Sequence, residues 1–67
     1  MNVVINGDPM VLPAAVNSVS ALLKHFNLEQ KVVIVELNQH ILDKAAHAIT
    51  ILSDGDRIEI VHFVGGG

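Results

Sequence analysis

Short apolar runs alternate with polar and glycine-bearing breaks along the chain, and their period changes from that of a strand to that of a helix and back. Asn2 to Asn6 alternates, with Val3 and Ile5 on one side, and predicts a strand. Gly7-Asp8-Pro9 predicts a turn. Met10 to Leu12 returns as the second strand of a hairpin, and Pro13, which lacks an N–H donor, ends it. Val19, Leu22, Leu23 and Phe26 then recur at helical spacing behind Ser18, a good N-cap. They predict a helix running to about Asn27 with one apolar stripe against a sheet. Ser20, Lys24 and His25 fall outside that stripe.

Lys31 to Leu37 is rich in β-branched residues and predicts the strongest strand. Val33, Val35 and Leu37 share one face; Val32, Ile34 and Glu36 share the other. Asn38-Gln39 turns the chain into a short edge strand, His40 to Leu42. Asp43 to His47 suits a single helical turn, and Ile49 to Leu52 is a further short apolar segment. Asp54-Gly55 is a hairpin signal, because glycine accepts positive φ. In the last strand, Arg57 to Val64, Ile58 and Ile60 point inward and His62 and Val64 continue that side. Glu59, Val61 and Phe63 point outward. The order predicts an α+β domain: a mixed sheet of four to five strands with one main helix packed across one face. Val32, Ile34, Val61 and Phe63 then form an apolar patch on the other face, the kind of surface that marks a partner site.

Composition narrows the function. The chain has 67 residues, 51% of them hydrophobic, and two phenylalanines are its only aromatics of the Phe, Trp or Tyr type, so one small domain must pack Val, Ile and Leu densely. A net charge of −3 with only four Lys or Arg argues against nucleic-acid binding. No apolar run approaches a membrane span, and Met1-Asn2-Val3 lacks the basic start of a signal peptide, which predicts a cytoplasmic protein with no membrane partner. The absence of cysteine excludes disulfides, thiolate metal sites, a Cys nucleophile and a side-chain persulfide. His25, His40, His47 and His62 have no tight ligand spacing and read as surface or packing residues, so no metal site is expected. Asp54-Gly55-Asp56 lacks the ligand ladder of a calcium loop, and Ser18 and Ser20 lack a nucleophile elbow. The chain is therefore expected not to be an enzyme. What remains is Gly65-Gly66-Gly67, a tail without side chains that suits entry into a narrow channel and presentation of the Gly67 carboxylate. The expected division is a domain over 1–64 and a flexible tail over 65–67.

The order of elements and the glycine end resemble the ubiquitin-like β-grasp fold, and within it the ThiS family of sulfur carriers. The resemblance runs along essentially the whole chain. It rests on Asn6-Gly7, on Ser18-Val19 with Leu22-Leu23, and on Val35-Glu36-Leu37-Asn38 in the central strand. Asp54-Gly55-Asp56 and Val64-Gly65-Gly66-Gly67 complete it. Leu42-Asp43 departs from a Val-Pro pair frequent in the family, although Lys44 keeps the basic residue that follows.

The resemblance implies that a ThiF-like adenylating enzyme, using ATP and magnesium, activates the carboxylate of Gly67. Sulfur from a donor such as a cysteine desulfurase relay then replaces AMP to give a thiocarboxylate, and a ThiG-like thiazole synthase takes that sulfur for thiamin. The chain itself would bind no cofactor. Gly65 and Gly66 would thread the active site. Val61, Phe63, Val32, Ile34 and Glu59 would bind the partner, with Asp56 joining Glu59 in an acidic rim. Two alternatives share the fold: the molybdopterin sulfur carrier, whose chains are usually longer, and a ubiquitin-type modifier or binding module.

Overall fold

A computed structural model describes Met1–His62. Asn2–Ile5 forms strand β1 and Asp8–Val11 strand β2, joined through Asn6 and Gly7, whose φ angles are +49° and +85°. Positive φ at both central residues gives a turn whose twist matches a hairpin, and Asn-Gly is the pair that tolerates it. The turn therefore falls earlier than the expected Gly7-Asp8-Pro9. Asp8 and Pro9 are already in the strand, opposite Ile5 and Val4. Pro9 is accommodated because β2 is a sheet edge.

Helix α1, Val19–His25, starts at Ser18, whose Oγ accepts the Ala21 N–H at 3.1 Å. Val19, Leu22 and Leu23 are buried and Phe26 packs partly buried beside them. The helix is shorter than expected: Phe26 is its C-cap and Asn27 turns left-handed at φ +59°. Asparagine tolerates that conformation and stops the helix there.

Strand β3 is Val33–Leu37 and does not begin at Lys31. The Lys31 N–H donates to the Leu28 carbonyl at 3.0 Å, closing a turn that leaves Lys31 and Val32 ahead of the ladder. Asn38 and Gln39, at φ +50° and +73°, lead into β4, His40–Leu42. The expected single turn is a 3₁₀ segment, Lys44–Ala46. Ile49 to Leu52 makes no strand; Ile51 forms one bridge with Ser18. Strand β5 is Arg57–His62. The rest of the expected last strand, Phe63 and Val64, lies outside the described residues, as do Gly65, Gly66 and Gly67.

Asp54-Gly55 does not close a hairpin, because the segment before it pairs with the helix cap and not with β5. The turn instead joins the start of β5 to the start of β1: Asp54 Oδ1 accepts the Asn2 N–H at 2.6 Å and the Gly55 N–H donates to the Asn2 carbonyl at 2.6 Å.

The sheet order is β2-β1-β5-β3-β4. β5 runs parallel to β1 and antiparallel to β3, so β5, not β3, is the central strand. Its inward residues Ile58 and Ile60 join Val3, Ile5, Val35, Leu52 and the helix stripe in one core. Truncating Ile58, which is fully buried, to Ala leaves a cavity; we expect a loss of about 2–5 kcal/mol in chemical denaturation. Ile41→Ala, on an exposed edge position, should stay within about 0.5 kcal/mol of wild type in the same measurement.

Candidate functional site

The residues of β5 that face away from the core build the site. Ile34 on β3 stands directly opposite Val61, and Glu36 opposite Glu59, because the antiparallel register brings like faces together. Val61 is 50% exposed and Ile34 41%. Val32, just before β3, is 72% exposed. Three members of the expected patch are thus on the surface; the fourth, Phe63, lies outside the described residues. The register also adds Ile41 of β4, opposite Glu36 and 70% exposed. Sequence reasoning missed Ile41, because a three-residue strand shows too little alternation to assign its face.

The two glutamates give this apolar face an acidic centre. Like charges directly opposite each other oppose sheet formation. Arg57 lies on the same face of β5, two residues before Glu59. Asp56, expected to join Glu59 in an acidic rim, has both carboxylate oxygens engaged by the protein. Its Oδ1 accepts the Asn38 Nδ2–H at 3.0 Å and its Oδ2 accepts the Ser53 N–H at 2.7 Å, so both oxygens hold the turn into β5.

Beyond this face, β5 is gripped by two asparagine side chains. Asn38 Oδ1 accepts the Arg57 N–H at 3.0 Å on the β3 side. On the β1 side, Asn6 takes over where β1 ends: its Oδ1 accepts the Ile60 N–H at 2.7 Å and its Nδ2 donates to the Ile60 carbonyl at 3.2 Å. The amide copies one more residue of parallel ladder.

The histidines are scattered. His25 and His40 are exposed, and His25 sets its ring edge-on to Phe26 with 5.0 Å between centroids. His62 is partly buried at the end of β5. His47, the C-cap of the 3₁₀ turn, is buried, and its Nε2 has no hydrogen-bond partner among the described residues. No group of three metal-ligating side chains occurs among the described residues, nor is any helix there long and apolar enough to cross a membrane.

The described geometry thus offers a mixed apolar and acidic face on the strand that leads to the glycines. The model of the ThiS family matches residues 3–67, nearly the whole chain and all of the glycine end. The chain belongs to the ThiS family. The sulfur carrier protein ThiS of Bacillus subtilis is 43% identical over 63 residues, which are 94% of this chain and 96% of that protein. The crystal structure of a thiamine biosynthesis protein (ThiS) from Geobacter metallireducens superposes with a TM-score of 0.83 at 38% identity, over 100% of each chain. Its agreement bears out the β-grasp fold. A thiazole synthase of Paramagnetospirillum magneticum is 40% identical over all 67 residues, although the chain spans only 20% of that protein's length.

Within this family member, the repulsion between Glu36 and Glu59 is measurable. In a double-mutant cycle with Glu36→Gln and Glu59→Gln, we expect the combined gain in stability to fall short of the sum of the single gains. The coupling should be about 0.2–1 kcal/mol and shrink in high salt. The cycle cancels each residue's separate attraction to Arg57.

Proposed function

We propose that this chain is a sulfur carrier for thiamin biosynthesis and that Gly67 is the residue that carries the sulfur. The observation that carries the reading is the family match, which extends through Gly67 itself. A carboxylate with an ordinary pKa near ~3.5 is ionised at neutral pH and is a poor acyl donor. Its oxygen attacks the α-phosphorus of ATP in a ThiF-like adenylating enzyme, with magnesium on the nucleotide, and pyrophosphate leaves. The terminal sulfur of a persulfide, supplied by a cysteine desulfurase relay, then attacks the acyl carbon and expels AMP. A thiol reduces the remaining sulfur–sulfur bond and leaves the thiocarboxylate.

This chain contributes position and access. It has no cysteine, so no internal thiol intercepts the acyl-adenylate. Gly65 and Gly66 carry no Cβ into a constricted active site. Val32, Ile34, Val61, Phe63 and Glu59 bind the partner, together with Ile41 and Glu36. The acidic centre of the described face favours a partner that presents a basic side chain among apolar ones. A ThiG-like thiazole synthase is the sulfur acceptor; the occurrence of a stretch similar to the whole chain inside a thiazole synthase supports that pairing.

Incubation with the adenylating enzyme, ATP and a persulfide donor should raise the intact mass by that of one sulfur exchanged for one oxygen. An isopeptide product instead would make the chain a ubiquitin-type modifier. Extending the chain beyond Gly67 with a fused tag should abolish the gain without altering the denaturation midpoint. Gly66→Ala should leave stability unchanged and slow ATP–pyrophosphate exchange on the order of tenfold or more, because misplacement of a reacting group is costly. Equal exchange rates would contradict a constricted channel.

A further inference from the structure

The geometry points to a β5 that works as two segments divided at Ile60. Asn6 acts as the stop: Val61 and His62 leave the sheet with the tail when it enters a partner's active site, and Arg57–Ile60 stay. The inference rests on the tail chemistry proposed above and specifies how much of the chain takes part.

Through Ile60, β5 is held on both flanks. On the β1 side the Val4 N–H donates to the Asp56 carbonyl and the Asn6 N–H to the Ile58 carbonyl, each at 2.9 Å. The Asn6 amide then makes both bonds at Ile60. Backbone groups of a strand point alternately to its two sides, so the amide of His62 also faces β1. β1 has ended there, and among the described residues His62 has no backbone partner on that side. Beyond Ile60 only the β3 flank remains: Val61 pairs with Ile34, and His62 stands opposite Val33 with its own backbone groups turned the other way. Burial along the core-facing side of β5 declines at the same place. Ile58 and Ile60 are buried, whereas His62, next on that side, is only partly buried; Val61 belongs to the outward face and is half exposed. Release of the last two residues therefore uncovers little apolar surface, whereas release of Ile60 would open the core.

Reach gives the division its purpose. The three glycines span at most about 10 Å, whereas Val61 to Gly67 spans roughly 23–25 Å at ~3.3–3.6 Å per residue. Asn6 is thus a positioning residue. It fixes the root of the released segment and keeps the opening from running into the core.

Native-state hydrogen exchange tests the device in the chain by itself. The Asn38 N–H donates to the Arg57 carbonyl at 2.8 Å, so by alternation the amides of Glu59 and Val61 both face β3. Val61 should exchange by local opening, insensitive to low denaturant, and Glu59 only with global unfolding, like the helix amide of Leu23. Asn6→Gly keeps the positive φ free of strain and removes the amide. It should move Glu59 into the local class while Leu23 stays global. Asn6→Asp, which keeps the acceptor for Ile60, should leave Glu59 nearer to wild type. A Val61 amide that exchanges only globally in wild type, or a Glu59 amide that still tracks Leu23 in Asn6→Gly, overturns the proposal.

A removable staple tests the same point in activation. The chain has no cysteine, so Val33→Cys with His62→Cys makes a single disulfide across the releasable pair. With the adenylating enzyme and ATP, the oxidised form should be activated on the order of tenfold more slowly than its own reduced form. Asn2→Cys with Val11→Cys, across β1 and β2, should show no such difference. Equal rates for the oxidised and reduced 33–62 staple overturn the inference. If even the unaltered chain is not activated, the sulfur-carrier reading falls, and the exchange measurements alone decide whether β5 divides at Ile60.

Discussion

The double pairing of β5 is the constraint on which the rest of the molecule depends. A strand in the middle of a five-stranded sheet must satisfy donors and acceptors on both flanks, and its neighbours here run in opposite directions. Parallel pairing with β1 requires the chain to cross over, and α1 lies within that crossover. One face of β5 therefore supplies Ile58 and Ile60 to the core against the helix. Its other face is left to solvent, and the register of β3 decides what that face displays. Shifting the register by one residue would exchange Val35 for Ile34 and lose both core and patch.

The displayed face is not built for maximal stability. Two carboxylates face one another between Ile34–Val61 and Ile41, where a neutral or oppositely charged pair would strengthen the sheet. Local choices that conflict with the fold concentrate where a surface serves something else. Here the conflict coincides with exposed aliphatic side chains on the strand leading toward Gly67.

Alternation and helical spacing are enough to place β1, α1 and the inward side of β5, because each of these buries a periodic set against one core. The errors came where backbone geometry overrode pattern. Asn6 and Asn27 are ordinary polar residues in a hydrophobicity profile, yet each adopts positive φ and so moved a turn or ended a helix. Asp54-Gly55 has hairpin chemistry, but a turn reports local bending and not which strands it joins. The partners of Asp56, Asn38 and Ser53, are likewise identified only once the chain is folded. The Asn6 clamp on Ile60 spans 54 positions in sequence, and no local signal could have announced it.

The placement of β5 also governs the order in which the molecule can assemble. The sheet's centre is the last strand among the described residues, and its partners β1 and β3 have no ladder contact with each other. A nascent chain can form the β1–β2 and β3–β4 hairpins as soon as they emerge, but these remain separate halves with uncovered edges. Closure waits for Arg57–His62 to insert between them, so the domain gains its cooperative stability only once that segment has emerged. The segment that leads to the glycines is thus also the keystone whose arrival completes folding.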